Sequence, residues 1–414
     1  MEILPPAERS SIPGGHQPAH RNILPLIAGV VMLSSVASGH AAEIGSDDPS
    51  AAGNNGAQQQ PVRQSIAQLH AISVVSSTID PMNSDLNPYG LVIVPPGAAT
   101  TGSLLPGDIL VSNINNSGNV MGLGTTVDMI RPSDPHPAPK TFFSGAASPI
   151  AMVLNANATS IWIANFGFDQ SGLTGNVDVV NNKGKLFAHG SINDPRLEGS
   201  WGQGFNGQPV GGAIPPVFFD TNTLTGDVYR LEHFVATSEG PNFAGATITQ
   251  IATLGQSGTT INDVVGPQGM AWSKINDTLY IADPVNNRIV AVPHSTTTTG
   301  GSVYTVFIGK PLNQPAGIAL NPINGNLLIV NQGDNKLIEI APSAANDNDT
   351  HVVAVSLLDK TKVVNGAGSA LFGVAATIDA AGNLQVYFTN DNTNTVNLLS
   401  AKDVDSEDVQ EDTN

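Results

Sequence analysis

The feature that most constrains the fold is a short unit of apolar runs and turns at residues 266–292. Two apolar runs, residues 269–272 and 278–282, are separated by turn-forming residues, and a third run follows Asn286 and Asn287. Asparagine tolerates a positive φ and its side chain caps its own backbone, so paired asparagines between apolar runs favour a hairpin. The unit therefore predicts three antiparallel strands connected as a meander.

The same unit recurs along the chain, and the recurrence indicates the fold class. Each copy opens with Pro-x-Gly or a degenerate form of it, which places the openings about 57 residues apart on average, at residues 90, 151, 202, 269, 317 and 373. The second run of each copy closes on Asn or Asp, namely Asn113, Asn165, Asp220, Asp283, Asn331 and Asn390. Regular repeats of several short strands are typical of propeller blades. The sequence predicts an all-β protein, a six-bladed β-propeller.

The third opening and the closure of the ring need separate arguments. The third copy opens either at Trp201-Gly202 or at Gly211, and we favour Gly202 because it leaves room for two strands before Asp220. A fourth, outer strand follows the first five copies, at 141–143, 185–189, 247–253, 302–308 and 351–357. The sixth copy has no such run after it, whereas the strand-like residues 71–78 precede the first copy. We expect this N-terminal strand to complete the last blade, which protects its edge.

Composition excludes several classes of protein. Charged residues are only 12% of the chain, and 43 Gly and 29 Pro suit short strands and turns. The net charge is −18 without any Lys/Arg cluster, so the electrostatic pattern of a nucleic-acid binder is missing. The chain has no Cys, which excludes disulfide scaffolds and thiolate chemistry.

The two ends of the chain differ from the repeats. Residues 1–42 predict an export signal, because basic residues precede an apolar run at 23–36 and small residues follow it. An uncleaved membrane anchor is the alternative. Residues 43–64 are expected to be a disordered linker, 65–400 the propeller, and 401–414 an acidic disordered tail. The expected location is secreted or periplasmic, without membrane attachment after cleavage.

The two sharpest copies resemble the NHL repeat. The resemblance rests on residues 267–271, 279–283 and 286–289 of one copy and on the corresponding residues 315–319, 325–331 and 334–338 of the next. The chain also looks like exported bacterial NHL-type proteins of uncharacterised function, which share a Trp-Gly opening such as Trp201-Gly202. This resemblance implies a six-bladed propeller and export, and it implies no activity.

Two sets of residues are candidates for a site. The Asn or Asp that closes each second strand is either one member of a ring of ligands or a structural cap for the next turn, and its repetition in six copies favours the cap. The starts of the innermost strands carry Tyr89, Trp201, Gln268 and Phe372, together with Ile150 and Ala316. These aromatic and amide side chains predict either a ligand-binding rim of the central channel or ordinary packing there.

Histidines and acidic clusters test for catalysis. NHL-type lyases are expected to hold a metal with His and carboxylates at the channel mouth, but no histidine lies on a predicted innermost strand; the histidines after residue 42 are His70, His136, His189, His233, His294 and His351. The clusters at 347–349 and 391–394 could offer oxygen ligands to a hard cation, although neither has the EF-hand pattern.

The functional hypothesis follows from repeats without a catalytic constellation. We expect an exported propeller that binds a protein, peptide or glycan through one face, with no cofactor. The alternative is a metal-dependent lyase or hydrolase in the central channel, which would need a divalent metal, and a third possibility is a structural surface-layer role. Insertions in the first three copies, at 95–108, 167–175 and 199–212, are the segments in which a binding loop or a neutral surface insertion is expected.

Overall fold

The computed structural model describes residues 62–98, 102–169, 172–173, 175–208, 216–237, 240–255, 266–300, 303–343 and 349–401. These residues form six sheets, each built on a four-stranded antiparallel meander, which we number as blades 1 to 6 in the order of their innermost strands; the fourth strand of blade 6 comes from the N-terminus. The predicted all-β, six-bladed propeller is confirmed.

Each blade is a meander whose strands run from the channel outwards. Blade 1 contains Leu86–Ile93, Ile109–Asn115, Met121–Ile130 and Lys140–Ser144. Blade 2 contains Pro149–Leu154, Ser160–Asn165, Asn176–Asn181 and Leu186–Ile192. Blade 3 contains Ser200–Phe205, Phe218–Asn222, Asp227–Glu232 and Thr247–Thr253. Blade 4 contains Met270–Ser273, Thr278–Asp283, Arg288–Pro293 and Tyr304–Ile308, and blade 5 contains Pro315–Leu320, Leu327–Asn331, Lys336–Ala341 and His351–Leu357. Blade 6 contains Val374–Ile378, Leu384–Asn390 and Thr395–Ser400.

The ring closes through the N-terminal strand, as the sequence predicted. Ala71–Ser77 pairs antiparallel with Thr395–Ser400, and Ala71 lies opposite Ser400. The six innermost strands contact one another in a closed ring, with blade 6 next to blade 1. The third blade opens at Ser200–Phe205, so Gly202 is confirmed as its opening. Closure removes one exposed sheet edge and ties the two ends of the propeller together.

The Gly of the opening motif is needed where neighbouring innermost strands approach closely. A Cβ added to Gly90 would lie 2.3 Å from the Ile150 carbonyl oxygen, and one added to Gly202 would lie 2.1 Å from that of Gln268. The same close approach relates Gly373 to Tyr89, at 2.3 Å. These distances are far shorter than van der Waals contact, so only Gly fits.

Hydroxyl groups fasten blades together at the same positions. The amide of Gly90 donates to Ser112 Oγ at 2.8 Å, and that hydroxyl donates to the Ile150 carbonyl of the next blade at 2.6 Å. Thr221 makes the equivalent pair of bonds between blades 3 and 4, and Thr389 does so between blades 6 and 1. The innermost strands are thus bonded to each other through side chains, although they do not pair as a sheet.

Two elements that pack against the blades were among those not predicted. A hairpin of Val235–Thr237 and Gly240–Asn242 leaves blade 3 and pairs with the outer strand of blade 2, extending that sheet to six strands. A single-turn 3-10 helix, Ile66–Gln68, precedes the closing strand and lies against blade 5. The described end of the predicted linker, residues 62–64, also hydrogen-bonds to the propeller, because Arg63 pairs with Leu384 and Asn383.

Apolar residues from adjacent blades fill the space between the sheets. The largest cluster joins blades 1 to 4 and includes Trp162, which is stacked on Phe218 with ring centroids 3.7 Å apart.

Two shorter segments complete the described structure: a 3-10 helix at Pro195–Leu197 and a small hairpin of Phe168–Asp169 with Gly172–Leu173. No helix in the described part of the chain has the length and apolar character needed to cross a membrane.

Candidate functional site

The central channel has two ends, and they differ in character. The innermost strands start at one end, where the predicted rim residues lie, and finish at the other. The starting end is filled by aromatic side chains, whereas the finishing end contains a cavity of about 360 Å³. We call this cavity the channel pocket.

Aromatic residues close the starting end. Tyr89 stacks on Phe372 with centroids 4.4 Å apart, and Trp201 meets the edge of Phe166 at 5.0 Å. Tyr89, Trp201 and Phe372 belong to one buried cluster and have no solvent exposure. Three of the four predicted rim residues are therefore brought together, but as packed side chains that solvent does not reach.

Gln268, the fourth predicted rim residue, is also fully buried. Its Oε1 accepts a hydrogen bond of 3.5 Å from Gln332 Nε2, and its backbone carbonyl accepts the interblade bond from Thr221. The starting end of the channel therefore combines an aromatic cluster with a pair of buried amides. A ligand could contact any of these four residues only after the packing at this end opened.

The residues predicted as caps have two kinds of partner. In blade 4, Asp283 accepts hydrogen bonds from the Asn286 amide and from Arg288 Nε, the latter at 2.6 Å. In blade 6, Asn390 accepts from the Thr393 amide at 3.3 Å. These contacts hold the turn after the second strand, as expected for a cap.

In blade 5, Asn331 Nδ2 donates to Asp334 Oδ1 at 3.0 Å, within the turn that follows the second strand, as in blades 4 and 6. The closing asparagines of blades 1 and 2 reach other groups instead. Asn113 Nδ2 donates to Asp128 Oδ2 at 2.8 Å, and Asn165 Nδ2 donates to Asp178 Oδ2 at 2.7 Å. In blades 1 and 2 the side-chain amide thus donates a hydrogen bond to a buried carboxyl group of the third strand.

In blade 3 the position of Asp220 differs from the prediction. Its strand continues to Asn222, whose Oδ1 accepts from the amides of Leu224 and Thr225, so Asn222 is the residue that caps this turn. The Asp220 carboxylate accepts hydrogen bonds from Ser200 and Gln203 within its own blade. Repeat alignment placed the closing residue two positions early, because Asp220 and Asn222 are equally plausible caps by residue type.

Burial sets the pKa values of the carboxyl groups near these strands. Burial raises the pKa of Asp220 to about 7, against the opposing effect of its hydrogen bonds from Ser200 and Gln203. Burial raises the pKa of Asp128 to about 9, helped by the neighbouring carboxylates of Asp80 and Asp85. These groups have no solvent exposure, so they are placed to hold protons inside the blades and not to exchange them with a substrate.

All six blades contribute to the channel pocket. Its wall includes the last residues of the innermost strands of blades 1, 2, 3 and 6 and nearby residues of blades 4 and 5: Ile93, Leu154, Phe205, Ile378, Trp272 and Pro322. The predicted insertion of blade 1 adds Pro95, Pro96 and Gly97 to the wall. None of the described lining residues is charged.

Sequence reasoning found the insertion but not the rest of this wall. The innermost runs were placed as in the structure, but the predicted site residues are those at their starts. Trp272 and Phe205, near the ends of the innermost runs of the fourth and third copies, were the sequence signal for the pocket. Residues 209–212 of the third insertion lie outside the described residues, as do residues 347 and 348 of one acidic cluster.

Histidines lie away from both ends of the channel, as expected. His189 and His351 are on outer strands, and His233 and His294 follow third strands, where they adopt positive φ values. Within the described residues, no three His, Asp or Glu side chains are grouped to hold a metal ion.

The fold is also found in solved structures. No family model and no curated protein matches the sequence. A protein of unknown function from Bacteroides thetaiotaomicron is 12% identical and has a TM-score of 0.50, over 80% of this chain and 75% of that one. A chain of a nidogen/laminin complex (12% identity, TM-score 0.45, 67% of this chain and 86% of that one) is also similar. A putative oxidoreductase (glucose dehydrogenase) from Thermus thermophilus is similar as well, with 13% identity and a TM-score of 0.46 over 80% of this chain and 99% of that one. This chain is a six-bladed β-propeller, and the likeness shows the fold alone.

Proposed function

We propose that this protein is an exported NHL-type propeller that binds a protein, peptide or glycan at the channel-pocket face, without catalysis at that site. One observation carries the proposal: all six blades contribute to a cavity of about 360 Å³ at the centre of one face, and its described lining residues are uncharged. Cavities of this size, apolar and at the axis of a closed fold, are common ligand sites. The described wall carries no Asp, Glu, His, Lys or Arg side chain that could act as the acid or base of lyase or hydrolase chemistry.

The binding test uses a matched pair of variants. Ala156 lines the pocket one residue after Asn155, in the turn that follows the innermost strand of blade 2. Ala380 occupies the same position after Asp379 in the corresponding turn of blade 6 but does not line the pocket. Ala156→Phe narrows the pocket, and Ala380→Phe adds the same side chain to the same face.

The assay is binding of the full chain to peptide and glycan arrays. We expect Ala156→Phe to lose the ligands that the wild type retains, and Ala380→Phe to keep them. Array ligands that bind all three proteins equally would refute a site at the pocket. The proposed binding mode uses no metal, so EDTA dialysis is expected to leave array binding unchanged, and loss on dialysis would favour the metal-dependent alternative.

Export is a separate part of the proposal and is supported by residues 1–42. Sequencing the N-terminus of protein recovered outside the cytoplasm tests it. We expect the mature chain to start just after the small residues at 37–42. Recovery of the intact chain from the cytoplasm alone would contradict it.

A further inference from the structure

Two of the three polar side chains described in the wall of the channel pocket, Trp272 and Asn155, already make hydrogen bonds within the protein. Trp272 Nε1 donates to Asp277 at 3.0 Å. Asn155 Oδ1 accepts from the amides of Thr159 and Ser160, and its Nδ2 donates to Thr159 Oγ1 at 2.9 Å. Among the described lining side chains, this leaves the hydroxyl of Thr377 to meet a polar guest.

The backbone of the wall offers few additional groups. Pro95, Pro96 and Pro322 have no N–H to donate. The Val94 amide donates to the Asp108 carbonyl at 2.7 Å, and the Val94 carbonyl accepts from Gly107 at 2.9 Å. The prolines and the paired Val94 therefore reduce the number of free donors and acceptors in the described wall, which is also uncharged.

Two aromatic rings give the wall a fixed shape. Phe205 stacks on Phe218 with centroids 4.5 Å apart, and Phe218 in turn stacks on Trp162 at 3.7 Å. Trp272 comes from the next blade and is held by its bond to Asp277. Phe205 and Trp272 are each 5% exposed, so both present a small surface to the pocket while the rest of each ring is packed.

These properties discriminate between guests. A sugar entering the pocket would give up hydrogen bonds to water and find few described side chains to replace them, and a charged group would be desolvated without a counter-charge from the described wall. An apolar side chain has no hydrogen bonds to water and no charge solvation to lose, and it gains burial against Phe205 and Trp272. The volume, about 360 Å³, is at the lower end for ligand pockets and is large enough for one aromatic or branched aliphatic side chain.

We propose that the channel pocket receives a single uncharged aromatic or branched aliphatic side chain of a polypeptide partner, and that it rejects sugars and charged side chains. This inference rests on the proposed function and narrows its ligand from protein, peptide or glycan to the apolar anchor of a polypeptide. The rest of the partner lies on the surrounding face of the propeller.

Fluorine NMR of the full chain labelled with 5-fluorotryptophan tests the inference. The chain has three tryptophans, and Trp272 is the one that lines the pocket. The probes are N-acetyl-tryptophanamide, N-acetyl-leucinamide, N-acetyl-lysinamide and methyl glucoside at equal concentrations. Trp272→Phe assigns the Trp272 signal, and if that variant does not fold, the signals are assigned with Trp162→Phe and Trp201→Phe.

We expect the tryptophan and leucine amides to shift the Trp272 signal saturably, with apparent affinities at least tenfold above those of the lysine amide and the glucoside. Ala156→Phe should reduce the two apolar affinities at least tenfold, and Ala380→Phe should not. Equal or tighter binding of the glucoside or the lysine amide would overturn the inference and leave pocket binding intact. A Trp272 signal that no probe moves would also overturn it, and the array experiment would then decide separately whether the pocket is a binding site at all.

Discussion

Replacing Asp128 by Asn tests how a buried carboxyl sets the pH range in which blade 1 is stable. Asp128 is fully buried on the third strand, where Asn113 Nδ2 donates to it. Burial and the neighbouring Asp80 and Asp85 raise its pKa from 3.8 to about 9. Between these two values the folded chain holds a proton on Asp128 that the unfolded chain has released.

The sign of the effect follows from this difference in bound protons. Because the folded state binds more protons than the unfolded state, the free energy of unfolding falls as the pH rises through this window. One proton corresponds to about 1.4 kcal/mol per pH unit. The Asp128 carboxyl alone therefore lowers the stability of the fold by about 4 kcal/mol between pH 5 and pH 8.

Asp80 opposes part of this effect. Burial disfavours its ionised form, but hydrogen bonds from Asp128, Thr141 and the backbone amides of Asn83 and Met82 outweigh burial and lower its pKa. The folded state thus releases the Asp80 proton more readily than the unfolded state, and this contribution to stability is lost as the pH falls through the lowered pKa. That window lies below pH 5, so Asp80 does not contribute to a comparison between pH 5 and pH 8.

The measurement is urea unfolding of wild type and Asp128→Asn at pH 5 and pH 8, followed by tryptophan fluorescence. Asn does not ionise in either state, so we expect the variant to gain about 4 kcal/mol relative to wild type between the two pH values. Asp134→Asn, which removes a partly exposed carboxylate, controls for the loss of one negative charge. A difference between wild type and Asp128→Asn that does not change with pH would refute a proton held on Asp128.

Two further predictions concern the packing of the ring. Gly202→Ala would place a Cβ 2.1 Å from the Gln268 carbonyl oxygen, so we expect destabilisation of about 2–3 kcal/mol in urea unfolding; Gly97→Ala, where no atom lies within 4 Å, should be neutral. Glu339 is fully buried and accepts hydrogen bonds at the start of the 3-10 helix Ile66–Gln68. Glu339→Ala should cost about 3 kcal/mol and speed hydrogen exchange in that helix, whereas unchanged exchange there would show that Glu339 does not anchor it.

The resemblance between copies explains why so much of the fold was predictable. Strand positions depend on local patterns, and outer strands such as Thr247–Thr253 and His351–Leu357 were predicted with their exact bounds. The closing strand was found because the sixth copy ends without an outer strand, while residues 71–78 had no partner nearby in sequence. The hairpin at Val235–Thr237 and Gly240–Asn242 was missed, since its pairing with blade 2 depends on contacts that no repeat pattern encodes.

The candidate site was less predictable than the fold. Tyr89, Trp201, Gln268 and Phe372 were correctly placed at the starts of innermost strands, but the sequence does not indicate whether side chains at a channel end pack together or stay exposed. Tyr89 and Phe372 are 283 residues apart and meet because blades 1 and 6 are adjacent in the closed ring. The pocket at the other end depends on the same closure.

By itself, the sequence determined the number of blades, the strands of each blade and the way the ring closes. These features follow from alternating apolar residues, turn residues and glycines, which act over a few neighbouring positions. The tertiary structure decided which end of the channel is filled and which contains a cavity. That outcome depends on how six strand ends from distant parts of the chain fill one shared volume, and side-chain packing in such a volume is not a local property.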